Sequence, residues 1–231
     1  MGLRTIVVAS LCLLAYPLAA FADRIAVIGT GEVGAALGPE FAALGHEIVY
    51  GSRSPSREDV QALVARTANS ATATTPAEAV VGADIVVLAV PGRMAASIAA
   101  DLGDLSGKII IDPTNNFVRG DITQMATDTS NAELIQAAAP DAYVVKAFNA
   151  LGWRQMVDPA SSGGPISIPL AGDNEAAKST VAELVAGLDL EPIDVGPLQN
   201  ARHVEGMLIL WFYGIQNGTR FEYHLRRSES P

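Results

Sequence analysis

The sequence predicts an α/β fold, a doubly wound parallel sheet followed by a small C-terminal α/β lobe, and three observations carry that expectation. Short unbroken apolar runs, among them Ile25-Ala-Val-Ile28 and the Ile85-Val-Val-Leu-Ala-Val90 that follows Asp84, recur through the first two thirds of the chain. Strands buried on both faces of a parallel sheet read this way. Segments of helical periodicity separate the runs, so the units are strand–helix–strand with right-handed crossovers. The first run ends in Gly29-Thr-Gly-Glu-Val-Gly34, a glycine turn set between a buried strand and a helix.

Taken in order, Ile25 to Ile28 forms the first strand. The helix after the turn carries Val33, Leu37, Phe41 and Leu44 on one face, and Gly45 supplies its stop. His46 to Tyr50 is the second strand, and Ala71 to Thr74 a short third, with Pro76 opening a small helix. The fourth strand, Asp84 to Val90, is stopped by Pro91-Gly92; Lys108 to Ile111 is the fifth and Tyr143 to Phe148 the sixth. Between the last two, Ser130-Asn-Ala-Glu133 has the form of a capping box opening a helix toward Ala139. After Asn149 the texture changes. Ser161 to Pro165 reads as a loop, then Ile166 to Ala171, a helix from Glu175 to Gly187, and Leu190 to Val195 make one further unit. A last helix runs from Asn200 to about Asn217, ahead of a polar tail. The expected division is therefore 23–149 for the sheet domain and 150–231 for the C-terminal lobe.

The first 22 residues stand apart. After Arg4 no charge occurs until Asp23, Pro17 breaks the apolar run, and Ala20-Phe21-Ala22 has the small-x-small form of a signal-peptidase site. A spanning helix wants about 20 unbroken apolar residues, so a leader cut after Ala22 is expected, with an uncleaved N-terminal membrane anchor as the alternative. Export to the periplasm or outside the cell follows, with no membrane attachment after cleavage. Arg4 stands alone, so no twin-arginine signal is present.

Composition narrows the function classes. A net charge of −10 argues against nucleic-acid binding, which needs a basic face. The single cysteine, Cys12, excludes a disulfide framework, and no Cys/His cluster has metal-ligand spacing. Pairing of two copies stays open.

The glycine turn points to a dinucleotide. Gly29 allows a tight turn, Gly31 lets backbone approach a pyrophosphate, and Gly34 lets helix and strand pack closely, the signature of a Rossmann NAD(P)-binding fold. About 20 positions further on, an NAD site offers a carboxylate to the ribose. Here the second strand runs into Ser52-Arg53-Ser54-Pro55-Ser56-Arg57, with no carboxylate before Glu58. Ser52 as a hydrogen-bond donor and Arg53 and Arg57 as charged donors suit a 2′-phosphate, hence NADP(H). Val90 and Pro91 end the fourth strand where open α/β sheets bind ligands, beside the ribose and nicotinamide. Reduction of a carbonyl or imine would need a proton donor, for which Lys146 and His203 are the candidates. No catalytic residue can be assigned from the sequence. Trp211, Phe212 and Tyr213 are candidates to stack on a ring, although neighbouring helical residues cannot share one face.

The chain resembles the NADPH-dependent reductases of the deazaflavin coenzyme F420 and the NADPH–flavin domain of the six-transmembrane epithelial metalloreductases. The matching stretches are Ile28-Gly-Thr-Gly-Glu-Val-Gly34, Gly45-His-Glu-Ile-Val-Tyr-Gly-Ser-Arg53, Val87-Leu-Ala-Val-Pro91, Val144-Val-Lys-Ala-Phe-Asn149, Ala171-Gly-Asp173 and Gly196-Pro-Leu-Gln-Asn-Ala-Arg202. The resemblance implies that Thr30, Glu32 and Val33 sit against the pyrophosphate and that Ser52 and Arg53 take the 2′-phosphate. It also implies that Ala147, Asn149 and Leu198 line the acceptor side. Asp112-Pro-Thr-Asn-Asn-Phe117 departs from the deazaflavin reductases toward the metalloreductases, which keeps FMN and FAD open beside F420. Hydride transfer between NADPH and a flavin or deazaflavin is the expected activity. The alternatives are an exported, noncatalytic nucleotide-binding module and an NADPH-dependent imine or carbonyl reductase.

Overall fold

The structure, a computed structural model, describes residues 22–117, 121, 124, 126–226 and 228. The leader inferred for residues 1–22 lies, Ala22 apart, outside the described residues. The elements are β1 (Arg24–Ile28), α1 (Glu32–Ala43), β2 (Glu47–Gly51), α2 (Glu58–Arg66), β3 (Thr72–Thr74), α3 (Pro76–Ala79), β4 (Ile85–Leu88), α4 (Ala95–Asp101) and β5 (Ile109–Asp112). They continue with α5 (Asn131–Ala138), β6 (Tyr143–Lys146), α6 (Trp153–Val157), β7 (Ser167–Gly172), α7 (Glu175–Gly187), β8 (Glu191–Asp194) and α8 (Ala201–Gln216).

The strands form one sheet in the order β3-β2-β1-β4-β5-β6-β7-β8. Alternate residues of one strand enter opposite layers. Ile25 and Val27 pack with Leu37, Phe41 and Val181 on one face, and Ala26 and Ile28 with Ala99, Leu102 and Ile135 on the other. Phe41 is fully buried, its ring edge-on to Phe148 at 6.3 Å. Its truncation to alanine would cost about 3–5 kcal/mol.

Helix α1 needs two local accommodations. Pro39 lies inside it and cannot donate to the Ala35 carbonyl one turn back. Arg66 Nη2, from the end of α2, supplies that donor at 2.8 Å. A Cβ on Gly38 would lie 2.2 Å from the Tyr50 hydroxyl, so glycine lets α1 lie flat on β2. The buried Tyr50 hydroxyl pairs with Thr67 Oγ1 at 2.9 Å.

Three details differ from the sequence expectation. The sheet is not wholly parallel: β7 runs antiparallel to β6, pairing Val145 with Gly172 and Lys146 with Ala171, while β8 is parallel to β7. A parallel connection must carry the chain back to the amino end of the sheet. The β6–β7 connection instead holds the short α6, packed against α1, and β7 then returns in the opposite sense. Strand β4 ends at Leu88 because the N–H groups of Ala89 and Val90 turn back onto the Val87 and Leu88 carbonyls, at 3.1 and 2.9 Å. Strand β6 ends at Lys146, and Phe148 has the left-handed φ of +62°. The C-terminal segment also folds back: Ser167 N–H donates to the Tyr223 carbonyl at 2.8 Å, and the Tyr223 hydroxyl donates to the Met207 carbonyl at 2.7 Å.

Candidate active site

Strand order reverses between β1 and β4, and the crevice at their carboxyl ends is where a doubly wound sheet accepts ligands. Its first wall is the glycine turn. Gly29 has φ +105°, and a Cβ there would lie 2.2 Å from the Ala89 carbonyl oxygen. A Cβ on Gly34 would lie 2.1 Å from the Gly29 oxygen, so α1 can start this close to β1 only with glycine. Gly31 differs, for no described residue stands within 4 Å of its missing Cβ. It is the N-cap of α1 and brings no side-chain cap, which leaves first-turn N–H groups and the positive helix end available to an anion. Thr30 is half-buried, Glu32 exposed, and Val33 packs its side chain on the core. Thr30, Gly31, Glu32, Pro39, Arg66 and Trp153 line a groove of about 430 Å³ along the start of α1.

At the end of β2, Ser52 is buried and its Oγ accepts from the Ser54 N–H at 3.3 Å, which leaves the hydroxyl proton free to donate. Arg53 is exposed and makes no hydrogen bond or ion pair among the described residues. Arg57 is engaged: its guanidinium forks onto Asp59, Nε to Oδ1 at 2.5 Å and Nη2 to Oδ2 at 2.8 Å. That pair raises the Arg57 pKa and lowers that of Asp59. Of the two arginines singled out from the sequence, Arg53 is therefore the free one.

The opposite wall is built from three loops in contact. Val90 is half-buried and Pro91 exposed. A Cβ on Gly92 would lie 2.3 Å from the Asn115 carbonyl oxygen and 2.7 Å from Asn131 Nδ2, so the loop after β4 rests on the loop after β5. Asn149 Nδ2 donates to Asn115 Oδ1 and to the Val204 carbonyl, both at 3.0 Å, and Asn115 Nδ2 returns a bond to the Asn149 carbonyl at 3.2 Å. Ala147, Asn149 and Leu198 are buried in this wall, and Leu198 packs with Ala201 in the core.

Beneath the loops sits a cluster that the motifs did not announce. Lys146 is fully buried, with Nζ 2.6 Å from Asp112 Oδ2, 2.8 Å from Glu205 Oε1 and 2.5 Å from the Thr114 carbonyl. Burial opposes the Lys146 charge, but Asp112 and Glu205 outweigh it and raise its pKa. For Glu205, burial raises the pKa against the lowering effect of Lys146. A signal for Glu205 did exist, since it shares the buried stripe Ala201, Val204, Leu208 and Trp211 of α8, where an acid must find a cation.

The other candidates fall outside the crevice chemistry. His203 is exposed, off the buried stripe of α8. Trp211 is buried, donates from Nε1 to Glu222 Oε2 at 3.1 Å and would stand 3.4 Å from a Cβ on Gly152. Phe212 packs edge-on to Trp211 at 5.5 Å, and Tyr213 faces solvent.

Comparison with known proteins identifies the family and the fold. The family model described as NADP oxidoreductase, coenzyme F420-dependent, matches residues 24–116. Rat (Rattus norvegicus) metalloreductase STEAP3 is 29% identical over 187 residues, 80% of this chain and 36% of that protein. The chain thus spans about a third of the metalloreductases it matches. The F420-dependent NADP reductase of Methanothermobacter thermautotrophicus is 29% identical over 197 residues, 79% of this chain and 84% of that protein. A crystal structure assigned as an F420-dependent NADP-reductase from Arthrobacter sp. FB24 superposes with a TM-score of 0.79 at 31% identity, covering 89% of this chain and 100% of that one. By the glycine turn, the sheet and these similarities together, the chain belongs to the F420-dependent NADP oxidoreductase family.

Proposed function

We propose that this protein transfers hydride between NADPH and a flavin or deazaflavin ring. The observation that carries it is the state of Lys146: no part of the side chain is exposed, and its Nζ already meets three acceptors. A reductase of carbonyls or imines needs a donor within reach of the substrate, and Lys146 has no proton to lend without breaking the cluster. Exchange between two rings asks the protein chiefly for stacking, distance and orientation. NADPH, when bound, supplies the hydride from its nicotinamide ring.

The residues present fit that dinucleotide. The uncapped start of α1 and the open face of Gly31 form a cradle for the pyrophosphate. Ser52 and Arg53, the latter without a bond among the described residues, would hold the 2′-phosphate, and one charged hydrogen bond there, worth roughly 1.5–3 kcal/mol, favours NADP over NAD about ten- to a hundredfold. Val90 and Pro91 would flank the nicotinamide, and the bonded Asn115–Asn149 wall would keep the far side rigid. Stopped-flow oxidation of NADPH with FMN, FAD and F420 in turn, and with a cyclic imine and a ketone, tests this. Turnover confined to the ring acceptors supports the proposal; turnover confined to the imine or ketone overturns it.

The N-terminal segment supports export through a leader cut after Ala22. Strand β1 starts at Arg24, so that cut spares every described element. The mass of the mature N-terminus tests this, and a chain beginning at Met1 would refute it.

A further inference from the structure

The buried charge cluster lies beneath the crevice, and the role inferred for it rests on the reading that the crevice takes NADP(H). Glu205 reaches from α8 into the ends of three other elements. Its Oε1 accepts from the Asn131 N–H at 2.9 Å and meets Lys146 Nζ at 2.8 Å, and its Oε2 accepts from the Asn116 N–H at 2.8 Å. Asp112 Oδ1 accepts from the N–H and the hydroxyl of Thr114 at 2.8 and 2.6 Å, and Oδ2 from Lys146 at 2.6 Å. Both oxygens of each carboxyl face donors, which is the surrounding an ionised carboxylate requires. The start of α5, at Asn131, adds the positive end of a helix to Glu205.

Two carboxylates therefore share one ammonium. All three side chains are 2% exposed or less, and with both carboxyls ionised, as their donors favour, the cluster carries one net negative charge. One carboxylate would have been enough to neutralise Lys146. An unbalanced buried charge destabilises a fold, so pairing alone does not account for the second. Its position offers a reason. The cluster underlies the loops after β5 and β6, and Gly92 seats the loop after β4 on the same layer. This is the half of the crevice opposite Ser52 and Arg53. A dinucleotide with its 2′-phosphate at Arg53 and its pyrophosphate on α1 directs its other nucleoside toward this half. The nicotinamide ring there is cationic when oxidised and neutral when reduced.

We infer that Asp112 and Glu205, through the net negative charge they leave on Lys146, make the crevice prefer NADP+ over NADPH and so bias it toward hydride donation by NADPH. Only a differential affinity for the two forms can shift that equilibrium. Asp112 and Glu205 are positioning residues in this account, acting through space and through the loops they hold.

Equilibrium titration of the mature protein with NADPH and with NADP+, no acceptor present, tests the inference. Wild type is expected to bind NADP+ at least as tightly as NADPH. Glu205→Gln and Asp112→Asn each remove one charge with little change of shape, and each is expected to shift the affinity ratio toward NADPH by about fivefold or more. A purely structural role would weaken both forms alike. A ratio unchanged within about twofold in either folded variant overturns the inference. A wild type that binds NADPH tenfold more tightly than NADP+ does so without any variant. If wild type binds neither form, the underlying NADP(H) reading fails; binding with an unmoved ratio removes this inference alone.

Discussion

Along β1 and β2 the crevice presents groups without a side-chain partner among the described residues, the first turn of α1, the open face of Gly31 and the exposed Arg53. Along β4, β5 and β6 most polar groups bond to one another, from Asn115 and Asn149 down to Asp112, Lys146 and Glu205, while Asn149 Oδ1 is buried without a partner among the described residues. Free donors at a helix start and a loop select a charged ligand at little cost to the stability of the fold. A preformed wall instead sets position and local potential before any ligand arrives, and its residues are inseparable from stability. Removing a free donor should therefore weaken ligand binding and spare the fold, whereas breaking the bonded wall should also cost stability.

The largest effect belongs to the bonded half. Lys146→Met leaves Asp112 and Glu205 buried without a counter-charge, an expected loss of about 3–5 kcal/mol in urea denaturation. A loss near zero would mean the carboxylates are not held as charges. Next comes Gly34→Ala, whose Cβ would stand 2.1 Å from the Gly29 oxygen. Forcing α1 away from β1 should cost about 1–3 kcal/mol and weaken NADPH binding as the cradle shifts. On the free side, Arg53→Ala should leave the melting temperature unchanged, and Arg57→Ala, whose partner is Asp59, should lower NADPH affinity far less than Arg53→Ala. Equal losses would show that the Arg57–Asp59 pair opens to meet the ligand.

The smallest effect concerns acid. The Arg202 guanidinium, bonded to Glu133 at 2.6 and 2.8 Å, holds the Glu133 carboxyl below its ordinary range. A carboxyl depressed in the folded state contributes stability above its unfolded pKa and loses it as pH falls through the folded value. Arg202→Ala should therefore lower the melting temperature slightly at neutral pH, with the gap to wild type closing in acid. A gap that persists below that range would place the effect of Arg202 in packing.

The same contrast decides what could be read from the chain. Gly29 to Gly34 and Ser52 to Arg53 are contiguous in sequence and local in structure, so their spacing carried the dinucleotide reading. Asp112 and Lys146 lie 34 positions apart, and Glu205 meets Asn131 across 74, so only the folded sheet brings the cluster together. Lys146 stands in the sequence as a candidate proton donor, and nothing in its own apolar strand marks the two distant carboxylates that engage it. The sense of β7 was hidden because α6 is a short helix in a stretch rich in turn formers, without periodicity to mark it. Arg53 and Arg57 were equivalent by composition, and a carboxylate two residues on, Asp59, separated them.

The central claim is that this is an NADP(H) site whose phosphate selectivity resides at Arg53. It is tested most directly by titrating the mature protein with NADPH and NADH, in wild type and Arg53→Ala. The account predicts saturable binding with NADPH preferred about ten- to a hundredfold, and loss of that preference in the variant with NADH affinity unchanged. Absence of saturable NADPH binding, or a preference that survives Arg53→Ala, would contradict it.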